Sequence, residues 1–166
     1  MAFIAAPYLI AALLLGAAGA AKTITPSAAA DALTKLGVPN SLWTIRLLGL
    51  LELTVATGAF IVGGVLPASA LAGLYGSFAI VSVAMLHKKT GAHCGCFGKR
   101  PMPASSRHVI VNLLATASGT AAAAWRISAA DKLFETNRWL YAPLAITVLG
   151  GAYGVFLWLS QPRKQP

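Results

Sequence analysis

The stretch His93-Cys94-Gly95-Cys96-Phe97-Gly98-Lys99-Arg100 holds both cysteines of a 166-residue chain. Two thiols separated by one residue can close a small disulfide ring, and a central glycine gives the backbone the freedom that this ring demands. Such a ring is strained and readily reduced. A crosslink over one residue also removes almost no chain entropy, so stapling is a poor use for it. His87, Lys88, Lys89, His93, Lys99 and Arg100 flank the pair and favour the thiolate, the form that attacks disulfides and binds soft metals.

Three uses compete on these residues alone. One is dithiol–disulfide exchange at Cys94 and Cys96. A second is soft-metal binding or transport, with the two thiolates joined by His93 or His87 around a thiophilic ion; a closed zinc site is disfavoured, because it wants four ligands and wider spacing between paired cysteines. The third is no chemistry at all: two small, weakly polar residues in a loop of a structural assembly subunit.

The elements that must position this loop are apolar. The chain is 57% hydrophobic and 10% charged, with a mean hydropathy of +0.72, whereas a soluble domain carries about 25% charged residues. The composition is that of an all-α integral membrane protein. A single membrane domain over 1–166 is expected, a compact bundle of five spans at about 2–21, 42–62, 68–86, 107–124 and 140–159, each near the ~20 residues that cross the hydrocarbon core. The spans flanking the cysteine loop, 87–106, would form the core, and 161–166 is a polar tail. Ala2 to Ala21 lacks the basic start of a cleaved leader and its apolar run is long for one, so it is read as a span despite the small residues Ala18-Gly19-Ala20. Between the first two spans, Thr25 as N-cap, Pro26 at the first helical position and Gly37 past the end predict a short interfacial helix, with Ala28, Ala29, Leu33 and Leu36 towards lipid and Asp31 and Lys35 towards water.

Positive residues set orientation. Counted outside the spans, Arg126, Lys132 and Arg138 lie on one side; Lys22, Lys35, Lys88, Lys89, Lys99, Arg100, Arg107, Arg163 and Lys164 lie on the other. Positive residues stay cytoplasmic, so the cysteine loop and the C-terminus are expected there, in a bacterial inner membrane. The net charge of +9 belongs to these span ends and their anionic headgroups, not to nucleic acid. No phosphate-binding Gly-rich loop, nucleotide fold or hydrolase motif is present.

Glu52 lies near the middle of the second span, where an ionised carboxylate costs several kcal/mol unless paired or protonated. Arg46 is six residues earlier, about 120° away around the helix, so the two should not pair. Glu52 therefore either hydrogen-bonds a neighbour such as Asn112 or Thr54, with Arg46 snorkelling to the headgroups, or serves as a proton donor and acceptor for thiol chemistry. Small residues at Gly16, Gly19, Gly73, Gly76, Gly150 and Gly154 allow close helix contact, expected within the chain more than between chains.

The Cys94-Gly95-Cys96-Phe97-Gly98 core between two apolar helices resembles the signature of the methylamine utilisation protein MauE family, membrane proteins related to DoxX. The likeness extends to Arg46-Leu47-Leu48-Gly49-Leu50-Leu51-Glu52 and to Asn112, and covers roughly Leu42 to Leu114. It departs at Val111, where family members tend to carry a basic residue; here the nearest are Arg107 and His108. The resemblance implies a redox-associated inner-membrane protein that helps mature a disulfide-rich periplasmic dehydrogenase subunit, with a thioredoxin-like partner. A quinone is the natural organic cofactor for such a membrane relay, although no residue identifies one. A cytoplasmic dithiol would reach a periplasmic partner only if its loop folded back into the bundle, where Pro101 and Pro103 break helix.

Overall fold

The structure, a computed structural model, describes residues 2–88, 105–127 and 141–161. They form six helices: α1 (Ala2–Ile24), α2 (Ser27–Lys35), α3 (Leu42–Ile61), α4 (Val65–His87), α5 (Ser106–Ala124) and α6 (Tyr141–Ser160). Three stretches, Ala5–Ile24, Leu42–Ile61 and Val65–His87, are long and apolar enough to cross a membrane, and Ala145–Ser160 is an apolar helix of shorter length. α5 is less apolar, but its hydroxyls are absorbed locally. Thr116, Ser118 and Thr120 donate to the carbonyls of Asn112, Ala115 and Thr116, so each satisfies itself within the helix.

Local signals explain the helix ends. Ser41 caps α3, its hydroxyl accepting from the Thr44 backbone N–H at 3.1 Å. The α3–α4 connection is tight, because Gly63 and Gly64 both take positive φ, 63° and 80°, and turn the chain between Ile61 and Val65. Past α2, Gly37 at φ 79° closes a Schellman turn, with Gly37 N–H donating to Thr34 O and Val38 N–H to Leu33 O. Thr25 is no N-cap: its hydroxyl donates back to Ala21 O, extending α1, and Pro26 itself precedes α2.

The long helices alternate in direction along the chain, so that α3–α4, α4–α5 and α5–α6 are antiparallel, whereas α1 and α6 run the same way. At one end Gly64 N–H donates to Ile127 O at 2.7 Å, joining the α3–α4 turn to the exit of α5. At the other, the Arg107 guanidinium donates to Trp158 O at 2.9 Å and lies over the Trp158 ring, joining the start of α5 to the end of α6. α1 packs against α3, α5 and α6, while α4 packs against α5. The spans around the cysteine loop, α4 and α5, do pack closely and contribute to the core, but α1 is equally central, being packed on three helices. Ala5, Tyr8, Leu9, Ala12 and Leu15 of α1 are all buried there, and Tyr75 of α4 donates its hydroxyl to Ala11 O.

α2 also departs from expectation. Ala32, Leu33 and Leu36 pack on Val81, Ala84 and Met85 of α4, and Ala29 and Ala30 pack on Ile45 of α3. Its apolar face thus lies on protein instead of lipid, and Lys88 fastens it further by donating to Leu36 O at 2.8 Å. Asp31 and Lys35 are exposed, as the pattern predicts.

Candidate functional site: a buried ion pair beside a small cavity

Glu52 is fully buried and its Oε2 accepts from Lys22 Nζ at 2.8 Å; the two side chains are 0% and 6% exposed. Glu52 thus has neither of the partners expected for it. Asn112 instead donates to Ser82 Oγ at 3.1 Å, and the Thr54 hydroxyl donates to Leu50 O. Lys22 is correspondingly no interfacial charge. It sits within α1, its ammonium 5.2 Å from the centre of the Phe78 ring, where the π face adds attraction. Arg46 is exposed and one face away, in keeping with the helical geometry.

Glycine brings the pair together. A Cβ on Gly19 would lie 2.7 Å from the Gly49 carbonyl oxygen and 3.0 Å from the Glu52 Cβ, and a Cβ on Gly49 would lie 2.7 Å from the Gly19 carbonyl oxygen. α1 and α3 therefore cross at backbone contact, one turn from the ion pair on each helix. Gly16 continues this seam against Ala56. Gly150 and Gly154, by contrast, have nothing within 4 Å of a built Cβ, so their G-x-x-x-G spacing makes no close contact in the described chain; Gly151 meets Ile10 instead.

A cavity of about 40 Å³ adjoins the pair, lined among others by Lys22, Tyr75, Phe78, His108, Asn112 and Leu159. His108 is 4% exposed. Its Nδ1 shares a 3.1 Å hydrogen bond with Ser105 Oγ, while Nε2 has no protein partner; Glu52 Oε1 also has none. A cation, a carboxylate, an imidazole and an amide thus converge among apolar walls, and acid–base exchange is what such a set can do. His108 is a residue to which sequence alone assigned no role, and Lys22 is one it misassigned. The cue for Lys22 was present: Gly19-Ala20-Ala21-Lys22 and Gly49-Leu50-Leu51-Glu52 both place a glycine three residues before a charge.

Cys94, Cys96 and His93, the dithiol and the alternative metal ligands, lie outside the described residues, as does most of their loop. His87, where the loop departs, is exposed. Among the described residues no group of three or more His, Cys, Asp or Glu could hold a metal ion.

Helices of membrane-spanning length, packed through small residues around a buried ion pair, define a multi-pass membrane protein. The family model for the methylamine utilisation protein MauE matches residues 1–127, and the chain belongs to that family. No curated protein and no solved structure matches it.

Proposed function

We infer that this protein is a membrane-embedded thiol–disulfide relay in which Cys94 and Cys96 alternate between dithiol and disulfide, exchanging with a thioredoxin-like partner in protein maturation. The observation that carries this reading is the acid–base set of Lys22, Glu52 and His108, which lies towards the end of the bundle where α4 ends and α5 begins, and so beside both anchors of the cysteine loop. Membership of the MauE family agrees with it. The bundle spans an inner membrane five times as one domain, with α5 as its least apolar crossing, and the cysteine loop on the cytoplasmic side.

In one direction a Cys94 or Cys96 thiolate attacks the partner's disulfide, forming a mixed disulfide and releasing one partner thiolate. The second cysteine then closes the Cys94–Cys96 bond and releases the other. Two electrons pass from the pair to the partner, two protons leave the pair, and two are taken up by the partner's thiolates. Each transfer gives a nearby acid–base group work to do.

Thiol trapping in intact membranes, followed by mass spectrometry, tests the relay. An intramolecular Cys94–Cys96 bond that forms under a mild oxidant and exchanges with a small disulfide is expected. If both thiols stay free while the protein remains folded, the relay is wrong; a thiophilic ion retained by the purified reduced protein would move the assignment to a soft-metal carrier.

A further inference from the structure

The cavity beside Lys22 leaves His108 Nε2 buried and without a protein partner. A buried polar atom left unsatisfied loses the hydrogen bonds it would make in water, so a partner is demanded. The same holds for Glu52 Oε1. At about 40 Å³ the cavity exceeds the ~10–15 Å³ that one water needs, yet falls well short of the ~150 Å³ pocket that holds a benzene ring. Its walls are mostly apolar, but Lys22, His108 and Asn112 supply polar partners, and its size suits two or three waters and no organic ring.

We propose that this cavity is a hydrated proton-transfer site in which water joins the Lys22–Glu52 pair to His108 Nε2, and His108 passes protons on to Ser105 at the foot of the cysteine loop. His108 is suited to this because imidazole can accept a proton at one nitrogen while releasing one from the other. Its two nitrogens have different surroundings: Nδ1 is hydrogen-bonded to Ser105 Oγ, on the residue that precedes α5, while Nε2 is buried without a protein partner on a ring that lines the cavity. A proton arriving at Nε2 thus displaces the one on Nδ1 to the Ser105 oxygen while the Ser105 hydroxyl proton passes to water at the loop end, so both groups keep their charge and the ring changes tautomer. The return requires the ring to relax to its original tautomer. The titratable groups that line the cavity are Lys22 from α1, Tyr75 from α4 and His108 from α5, with Glu52 of α3 behind Lys22 as its ion-pair partner; α6 contributes Leu159 to the lining. Tyr75 is committed to Ala11 O. The site gains its purpose from the relay inferred above, but its hydration can be established without it.

The first measurement uses water-edited solid-state NMR of the full chain in lipid bilayers, with the three histidines assigned by single substitution. Rapid magnetisation transfer from water to the His108 ring, comparable with that to exposed His87, is expected; its absence at His108 alone overturns the proposal. Lys22→Arg keeps the charge but fills the cavity, and should abolish that transfer; transfer persisting undiminished would place the water elsewhere and also overturn it. In the second measurement, His108→Phe should slow oxidation of Cys94 and Cys96 by about 10²-fold, the lower end for a positioned acid–base group, and remove the solvent deuterium isotope effect that a merely structural role would leave intact. An unchanged rate and isotope effect would overturn the link to Ser105. Disulfide exchange with a dry cavity removes this proposal and leaves the relay standing, whereas a wet cavity in a protein that forms no Cys94–Cys96 bond removes the relay and leaves the hydrated site.

Discussion

A buried charge pair is costly to make and more costly to break. Lys22 and Glu52 gain their Coulomb attraction away from water, but only after both ions are desolvated, so an apolar pair of similar volume can be as stable. Removing one partner is different, since it strands the other. Lys22→Met and Glu52→Leu should therefore each destabilise the bundle by about 3–5 kcal/mol, while the double variant should recover most of that loss. Thermal unfolding in a fixed detergent checks this. The same double variant separates stability from function: a well-folded bundle that exchanges disulfides slowly would show that the pair serves proton chemistry, and one with wild-type exchange would reduce the pair to packing. Glu52→Gln refines the point, because it keeps shape and hydrogen bonding but cannot cycle a proton; the pH profile of exchange should flatten. Sequence singled out Glu52 because a carboxylate in an apolar run demands a reason. It missed the partner because Lys22 stands where an apolar run stops, as an interfacial anchor would, and the pairing spans thirty residues of chain.

Among the helices, α1 and α3 are held at a separation set by two glycines, and that separation is what lets a lysine and a glutamate meet. Gly49→Ala adds a methyl against the Gly19 carbonyl oxygen, forcing the helices apart at a cost of about 1–3 kcal/mol. Gly73→Ala is the matched control. Gly73 is exposed on α4 with nothing within 4 Å of a built Cβ, so alanine there should be neutral or stabilise by up to about 1 kcal/mol through helix propensity. Comparable losses in both variants would show that the α1–α3 contact is not special. Element limits were legible to within a few residues, because apolar runs and Gly37 mark them directly. The faces were less so. In a chain this apolar, lipid-facing and protein-facing residues have the same composition, so the docking of α2 on α3 and α4 and the centrality of α1 followed from packing that no hydropathy pattern encodes.

For the whole molecule the consequential question is which way the bundle faces. The two ends are defined by the Gly64–Ile127 hydrogen bond at one and the Arg107–Trp158 contact at the other, the latter being the end that carries α2 and the cysteine loop. Burial of Lys22 removes it from the interfacial charges, so nine positive residues at the loop end become eight, against three at the other. The bias therefore survives the correction, and exposed Arg46, one turn into α3, adds to it. Because positive residues near span ends resist translocation, the loop end should be cytoplasmic. In a variant with Cys94→Ser and Cys96→Ser, Val62→Cys and Ser27→Cys report the two ends without altering any positive residue; both positions are exposed. A membrane-impermeant maleimide added to intact cells should label the Val62→Cys protein and leave the Ser27→Cys protein unlabelled until the membrane is permeabilised. The reverse pattern would put the dithiol on the outer face, where a periplasmic thioredoxin-like partner could meet it directly, and would make a loop folded back into the bundle unnecessary. Labelling at Val62 alone instead leaves the dithiol on the far side from such a partner, so that exchange with it then requires passage through the bundle.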